Sequence, residues 1–194
     1  MIDWTPLTAL IVVDCQNDFA DPEGSLYVTG GEAVIGAVNG AIAGARKASS
    51  PVFYTQDWHP EKTPHFKKYG GIWPVHCVAG TWGAEFHPAL VQAGKVVRKG
   101  ANGEDGYSGF SMRDPVDGTE IPTELETLLQ EAKVESVVVA GLALDYCVKA
   151  TAIDAARHGY RTMVPLQLTA AVELVTGDGE SAAAEIRESG AEVT

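Results

Sequence analysis

The sequence predicts an α/β fold: a single-domain, open, mainly parallel β-sheet of about six strands with helices on both faces. Short apolar runs alternate with amphipathic stretches along the chain, which is typical of parallel strands joined by right-handed helical crossovers. The first run, residues 7–13, has no polar alternation, as expected of a strand buried on both faces. Four of the runs also end at or just before a residue with chemically useful side-chain groups: Asp14, Asp57, Lys99 and Cys147.

The strands and helices follow from periodicity and from turn residues. The predicted strands are residues 7–13, 51–55, 95–98, 137–139, 161–168 and an edge strand at 191–194. The predicted helices are residues 32–47, 124–133 and 179–189, and a further helix that begins near Cys147 and stops at Gly159. Apolar side chains three or four positions apart mark each helix, whereas Pro165 weakens the fifth strand.

A long segment, residues 58–94, shows no clear strand or long helix. It contains four of the five histidines and three of the four tryptophans of the chain. A loop of that length inside a compact domain is usually functional or disordered. Its aromatic content argues against disorder, so we expect this loop to contribute to a functional site.

Composition bounds the class of protein. A chain of 194 residues fits one domain, spanning residues 1–194. Its net charge of −12, from 14 basic and 26 acidic residues, argues against nucleic acid and anionic membranes as partners. Three widely spaced cysteines suit a reducing compartment. The sequence has no apolar run of membrane-spanning length and no secretory signal pattern at its start, so we expect a cytoplasmic protein.

The strand-end residues suggest an activated nucleophile. Because the carboxyl ends of parallel strands share one edge of a sheet, Asp14, Lys99 and Cys147 are expected to lie close together. The carboxylate could take the thiol proton, and the ammonium would favour both anions. Asp145 is a candidate N-cap that would place Cys147 in the first turn of a helix, where the helix dipole favours a thiolate. The alternative is that Cys147 is a small buried residue in a turn.

Cys77 and Cys15 are weaker candidates for a nucleophile. Cys77 follows His76 in the long loop, without a strand-to-helix turn to support it. Cys15 follows Asp14 and, on an extended chain, points to the opposite side. Both are interpreted as structural.

The long loop carries a second constellation, with the pattern Asp-x-His-x5-His-x10-His. Its members are Asp57, His59, His65 and His76. One carboxylate and three imidazoles suit Zn²⁺, Fe²⁺ or Mn²⁺ with positions left for water or substrate. The alternative is a set of solvated loop histidines. His87 and His158 fall outside the pattern.

Eight segments of the chain resemble the nicotinamidase (pyrazinamidase) family of the isochorismatase-like cysteine hydrolases, which have a Rossmann-like fold. The segments are VDCQNDF (13–19), PEGSL (22–26), TQDWHP (55–60), HF (65–66), WPVHCVAGTWGAEFHP (73–88), RKGAN (98–102), YSGF (107–110) and AGLALDYCVKATAIDA (140–155). Both the Asp, Lys, Cys set and the four-residue metal set occur in the order of the family. Cys15, in place of a more usual aliphatic residue, is one departure.

The resemblance implies a role for each matching residue. It makes Cys147 the nucleophile, Asp14 its base and Lys99 the third member of a catalytic triad. It makes Asp57, His59, His65 and His76 the ligands of one divalent transition metal ion (Zn, Fe or Mn). The backbone N–H groups of Ala143 and Cys147 would form the oxyanion hole, after a cis peptide between Leu142 and Ala143. Phe19, Trp73 and Tyr107 match positions that line the substrate pocket.

The activity implied is hydrolysis of nicotinamide to nicotinate and ammonia through a thioester, as in NAD salvage, with pyrazinamide as a related substrate. The alternatives are another hydrolase of the superfamily, such as an isochorismatase or an N-carbamoyl amidohydrolase, or a non-catalytic metal-binding module. The full metal set favours the nicotinamidase. The sequence leaves open which metal binds and whether the protein is a homo-oligomer.

Overall fold

The centre of the fold is a seven-stranded β-sheet. It is seen in a computed structural model that describes residues 2–194; Met1, which the predicted domain includes, lies outside the described residues. The strands are β1 (Thr8–Val13), β2 (Val52–Asp57), β3 (Lys95–Lys99), β4 (Ser111–Arg113), β5 (Glu120–Pro122), β6 (Ser136–Leu142), β7 (Arg161–Val164), β8 (Thr169–Ala170) and β9 (Glu192–Val193). The sheet has the order β3-β2-β1-β6-β7-β9 with β8 beside β6, and its pairings are parallel. The predicted parallel α/β architecture is confirmed.

Helices cover both faces of this sheet. They are α1 (Asn17–Ala20), α2 (Gly31–Lys47), α3 (Leu125–Glu131), α4 (Lys149–Arg157) and α5 (Asp178–Glu188). Because side chains alternate along a strand, β1 contributes to two separate apolar clusters. Leu10 packs in one cluster with Val38 of α2. Ile11 packs in the other with Leu129 of α3 and Ile186 of α5.

The strand order places a topological switch point between β1 and β6. From β1 the chain moves outward to β2 and β3, and then returns to start again at β6 on the other side of β1. In open α/β sheets, ligands bind at the carboxyl ends of the strands beside such a point. Gly141 lies there with a φ of +113°, and a Cβ at this position would lie 2.1 Å from the Val13 carbonyl oxygen. Only glycine therefore lets β6 approach β1 at the point where the site begins.

Two local predictions differ from the structure, and one element was not predicted. The predicted strand 161–168 stops at Val164, because Pro165 cannot donate to the ladder, and a 3₁₀ turn, Leu166–Leu168, follows. The helix predicted to begin near Cys147 is preceded by a π-helical turn, Leu144–Val148. The hairpin of β4 and β5 is separate from the main sheet and was not predicted.

The long loop is irregular, as predicted. Its regular structure is limited to two 3₁₀ turns, Lys67–Tyr69 and Trp82–Ala84, and isolated bridges. No helix within residues 2–194 combines the length and the apolar composition that crossing a membrane requires.

Candidate active site

Three of the predicted site residues meet at the carboxyl ends of the strands. Asp14 follows β1, Lys99 ends β3, and Cys147 lies in the π-helical turn after β6. The Lys99 ammonium lies 2.9 Å from Asp14 Oδ2 and 3.7 Å from Cys147 Sγ. Each of the three residues is at most 6% exposed, so water screens their charges weakly. A thiol, a carboxylate and an ammonium in contact are the components of an activated nucleophile.

Burial and the shared ammonium set the protonation of this group. Burial raises the pKa of Asp14, and the nearby Lys99 ammonium opposes that rise. Burial also raises the pKa of the Cys147 thiol well above its ordinary value, again with Lys99 opposing the shift. Burial alone would lower the pKa of Lys99, but the Asp14 and Asp57 carboxylates hold it well above its usual range. The resting site therefore holds a neutral thiol and needs a neighbouring base to form the thiolate.

The turn that carries Cys147 differs from the prediction. Asp145 was expected to cap a helix and to place the thiol where the helix dipole favours ionisation. Instead the π-helical turn has no side-chain cap, and the Asp145 carboxylate accepts the backbone N–H groups of Val172 and Glu173 at 2.9 and 3.0 Å. The prediction was wrong because a distant segment competes for the Asp145 oxygens, and local spacing does not reveal such a partner.

Thr55 is a contact of the site that was not predicted. Its hydroxyl donates to Asp14 Oδ1 at 2.6 Å, so that the other carboxylate oxygen is left to face Lys99. Asp14 itself has a φ of +45°, which is uncommon for a residue other than glycine. The available signal was a hydroxyl side chain inside a buried strand, two positions before Asp57.

The three histidines of the predicted metal set form a buried cluster. Their ring nitrogens lie within 4.8 Å of one another, and the rings of His59 and His65 stack with 4.7 Å between centroids. His65 Nδ1 contacts Asp105 Oδ1 at 2.6 Å, and His76 Nδ1 contacts the Pro74 carbonyl at 2.8 Å. Because these oxygens only accept hydrogen bonds, each ring in its neutral form carries its proton on Nδ1 and its lone pair on Nε2.

Asp57 joins the histidine cluster to the thiol site. Its Oδ2 lies 3.7 Å from His59 Nε2 and 4.0 Å from His76 Nε2, while Oδ1 accepts a hydrogen bond from the Lys99 ammonium. Burial would raise the pKa of Asp57, but Lys99 and the histidines hold it well below the ordinary value. An ionised carboxylate therefore faces the imidazoles.

This donor set fits a divalent transition-metal ion. Both ring nitrogens of His59 are buried without a hydrogen-bond partner among the described residues. Such an orphaned polar group in a native structure calls for a water or an ion. Imidazole nitrogens with one carboxylate oxygen are ligands that zinc, iron and manganese accept.

Gln16 and Asp18 fix the long loop against the sheet, and neither role was predicted. The Gln16 side chain accepts the Asp57 N–H at 2.8 Å and donates to the Asp57 carbonyl at 2.7 Å, as a neighbouring strand would. The Asp18 carboxylate accepts the N–H of Cys77, the residue after His76, at 2.6 Å. The only signal was a run of hydrogen-bonding side chains directly after a strand-end aspartate.

A narrow pocket with aromatic walls opens onto Cys147. The predicted residues Phe19, Trp73 and Tyr107 all line it, and the Trp73 indole donates to Tyr107 Oη at 2.9 Å. Tyr146 was not predicted, although it is the neighbour of Cys147; its ring lies 4.8 Å from that of Trp73. The pocket is therefore a narrow slot with aromatic walls, and Cys147 is one of its lining residues.

The residues proposed for the oxyanion hole also line this pocket. Ala143 and Cys147 lie on the same turn. The peptide between Leu142 and Ala143 is cis, as the family resemblance implies. The donor roles of the two N–H groups stay a prediction.

Cys15 and Cys77 lie outside the thiol site, in the apolar cluster on the α2 face. Both are fully buried, and burial raises the pKa of each thiol. His87 lies near Asp21, with 3.9 Å between Nε2 and Oδ2, and His158 stacks on Phe110. None of these residues joins the predicted sets.

An α/β sheet with a thiol, a carboxylate and an ammonium at its switch point, beside an imidazole cluster, defines the class of this protein. A sequence model described as the isochorismatase domain matches residues 8–194. The chain belongs to the isochorismatase domain family.

Individual relatives show which members of this family the chain resembles. The chain is 42% identical to the nicotinamidase/pyrazinamidase of Mycobacterium tuberculosis, over 88% of this chain and 90% of that protein. It resembles the crystal structure of PnC1 from L. infantum in complex with nicotinate, with a TM-score of 0.89, 35% identity, and coverage of 100% of this chain and 95% of the other. The pyrazinamidase of Pyrococcus horikoshii in complex with zinc gives a TM-score of 0.86 and 35% identity, over 97% and 99% of the two chains. The predicted family resemblance is thereby confirmed.

Proposed function

We propose that this protein is a nicotinamidase, a metal-dependent cysteine amidohydrolase that converts nicotinamide to nicotinate and ammonia in NAD salvage. The observation that carries the proposal is the contact of Lys99 with both Asp14 and Cys147 at the end of an aromatic slot. Similarity to proteins of that name supports the choice of substrate. Pyrazinamide has a flat ring of the same size and suits the same slot.

The first half of the proposed reaction forms a thioester on Cys147. Asp14 takes the thiol proton, and Sγ attacks the carboxamide carbon, so that a C–S bond forms and the carbonyl oxygen becomes an oxyanion. The N–H groups of Ala143 and Cys147 hold this oxyanion, at roughly 3 kcal/mol for each donor. Asp14 then gives its proton to the amide nitrogen, the C–N bond breaks, and ammonia leaves.

The second half uses the same carboxylate. Asp14 takes a proton from a water molecule whose oxygen attacks the thioester carbon, the C–S bond breaks, and the proton returns to the sulfur of Cys147. Nicotinate is released with the oxygen of that water. The raised pKa of Asp14, caused by burial, makes it a stronger base than an exposed aspartate, and the Lys99 ammonium keeps it ionised between steps.

Asp57, His59, His65 and His76 are the proposed ligands of one divalent ion: zinc, iron or manganese. Their proximity and the orphaned nitrogens of His59 support this assignment. When bound, the ion would supply Lewis-acid polarisation of groups at the end of the pocket that lies beside the histidines.

The charge of the pocket favours a neutral aromatic amide over the alternatives. Among the described residues, those lining the pocket include no arginine or lysine. The Lys99 ammonium behind it already pairs with two carboxylates. Isochorismate and N-carbamoyl acids are anions, and no cationic side chain lines the described pocket to pair with their carboxylates.

Ammonia release on purified protein tests the proposal. We expect release from nicotinamide and pyrazinamide and little turnover of isochorismate or an N-carbamoyl acid. The opposite pattern would assign the protein to another hydrolase of the superfamily. Metal analysis of the same sample identifies the ion.

The nucleophile is tested by substitution. Cys147→Ala should abolish ammonia release while leaving the metal content unchanged, because the sulfur forms the acyl bond and is absent from the proposed ligand set. Cys15→Ala, at a fully buried cysteine outside the triad, is the matched control and should keep activity. Activity retained by Cys147→Ala would refute the assignment.

We also propose that residues 1–194 work as one domain in the cytoplasm. The three free thiols at Cys15, Cys77 and Cys147 support a reducing compartment.

A further inference from the structure

Asp105 contacts the histidine cluster from outside the predicted ligand set. Its Oδ1 lies 2.6 Å from Nδ1 of His65. We propose that Asp105 is a positioning residue for the metal ion: it fixes the tautomer and the orientation of the His65 ring, so that Nε2 is presented as a strong ligand. This inference rests on the metal-binding role proposed for His65.

The physical reason lies in the hydrogen-bonding capacity of the two groups. A carboxylate can only accept, so the proton of the neutral His65 ring must sit on Nδ1, and the lone pair must sit on Nε2. A hydrogen bond to a charged acceptor also makes the ring more basic and restricts its rotation. Carboxylate–histidine–metal arrangements are common for these reasons.

Asp105 is held by its backbone, although 53% of its side chain is exposed. Its N–H donates to the Arg113 carbonyl at 2.8 Å, and the Arg113 N–H donates back at 2.6 Å. Its Oδ1 also accepts the Gly106 N–H at 2.9 Å. The bridge to β4 and this local turn aim the carboxylate at His65.

His65 differs from the other two histidines in this respect. His76 Nδ1 donates to a neutral carbonyl, that of Pro74, and the two ring nitrogens of His59 have no hydrogen-bond partner among the described residues. Hydrogen bonds to an ionised acceptor are roughly twice as strong as those between neutral groups. His65 is therefore the ring whose ligand strength depends on a carboxylate outside the predicted set.

Zinc affinity of the metal-free protein is the direct test, measured by competition with a chromophoric chelator. Asp105→Ala removes the acceptor, and we expect the dissociation constant for Zn²⁺ to rise by about 10–100-fold. Asp105→Asn keeps an acceptor oxygen of the same size but loses the charge, so a smaller rise is expected. Saturating zinc should restore most of the ammonia release of both variants.

Asp117→Ala is the matched control. This carboxylate, in the exposed hairpin, accepts the Thr119 N–H at 2.8 Å. The control changes net charge by the same amount and should leave zinc affinity unchanged. Parental affinity in Asp105→Ala, or an equal loss in the Asp117 control, would overturn the proposal. If the alanine variant does not fold, the affinity of Asp105→Asn decides.

The readout separates this inference from the proposed function. Zinc affinity does not depend on turnover, so a protein that released no ammonia could still lose affinity on Asp105→Ala. His65→Ala should also weaken zinc binding. Parental affinity in His65→Ala would reject the metal-binding role of that histidine, and the role of Asp105 with it.

Discussion

Lys99 is the residue on which the charges of the site depend. It is 1% exposed, and its ammonium contacts the carboxylates of Asp14 and Asp57 as well as the sulfur of Cys147. A buried cation is tolerated only where opposite charges surround it. The same contacts mean that both carboxylates share one ammonium.

Replacing that partner should therefore be costly. Lys99→Met leaves Asp14 and Asp57 buried without their shared ammonium, and we expect a loss of about 3–5 kcal/mol in the free energy of unfolding together with loss of ammonia release. Urea denaturation measures the first effect. Lys95→Met, at the exposed start of β3 with a side chain 66% exposed, is the control and should change stability by less than about 0.5 kcal/mol. Equal stability of the two variants would contradict this account.

We expect the ionisation of Asp14 to control the acid limb of the pH–rate profile. The reaction needs its carboxylate form, so kcat/KM should fall as pH decreases through the raised pKa of this group, at a higher pH than for an ordinary aspartate. The Thr55 hydroxyl lowers that pKa by donating to the carboxylate. Thr55→Val removes the donor, so the acid limb should move to still higher pH. An unchanged limb, or movement to lower pH, would show that another group controls it.

The stability effects of the two aspartates have opposite signs. Asp14 has a raised pKa in the folded protein, so its ionisation as pH rises disfavours the folded state. Asp57 has a lowered pKa, so it contributes stability above its unfolded pKa, and that stability is lost as pH falls through its folded pKa. Of these two aspartates, therefore, only Asp57 destabilises the folded state when it is protonated in acid.

At the scale of elements, the site depends on a side chain that forms hydrogen bonds normally made by the backbone of a neighbouring strand. Gln16 pairs with both the N–H and the carbonyl of Asp57, which adds the effect of another strand beside β2. The amide also donates to the Ala84 carbonyl at 2.9 Å, in the long loop. One buried residue therefore connects the end of the sheet to the loop that supplies the histidines.

Gln16→Leu tests that connection. Leucine has a comparable size but leaves the Asp57 N–H and carbonyl unpaired, at roughly 1–3 kcal/mol for each buried group. We expect lower stability and a lower rate of ammonia release, measured by denaturation and by assay. The control is Gln130→Leu on the exposed face of α3, where the side-chain amide donates a hydrogen bond to Glu126; this variant should behave as the parent. A Gln16→Leu variant with parental activity would remove Gln16 from the positioning of Asp57.

At the scale of the whole molecule, the metal-binding residues lie at the margin of the apolar clusters: the ring of Phe19, a member of the cluster on the α2 face, lies 5.5 Å from that of His76. Both clusters lie on the faces of the sheet, whereas the histidines lie at its carboxyl edge. Chelating the metal should therefore leave the circular dichroism of the helices intact. The melting temperature should fall, because the folded protein loses the stabilisation that zinc binding supplies. That stabilisation is about 2.7 kcal/mol when the free zinc concentration is 100 times the dissociation constant.

Re-addition of zinc should restore the melting temperature after chelation. Loss of helical signal in the chelated protein would contradict this prediction, because it would make the ion part of the folding of the sheet.

Much of the fold was predictable because the strands and helices of a parallel α/β protein each leave a local pattern of apolar residues in the sequence. Uninterrupted apolar runs identified β1, β2, β3 and β6, and the shared edge of a parallel sheet then brought Asp14, Lys99 and Cys147 together. The hairpin of β4 and β5 escaped prediction because its strands are only three residues long and half-exposed, which leaves no periodic signal.

The sequence predicted the catalytic and metal-binding residues of the site, but not the side chains that position them. Side chains such as those of Gln16, Thr55 and Asp105 contact partners about 40 positions away. Their roles depend on tertiary pairing, and no spacing rule encodes that. The prediction for Asp145 failed for the same reason, since its partners lie 27 and 28 positions further along the chain.

The sharing of one ammonium by two carboxylates limits how this enzyme can evolve. Asp14, Asp57 and Lys99 form one electrostatic unit, so a change at any of them alters the energy of the other two, and their substitutions are not additive. Loss of Lys99 alone leaves two buried carboxylates without their shared cation, so neutral drift at that position is blocked. Descendants with a different set at these positions would require coordinated replacements, and laboratory selection should randomise the three codons together.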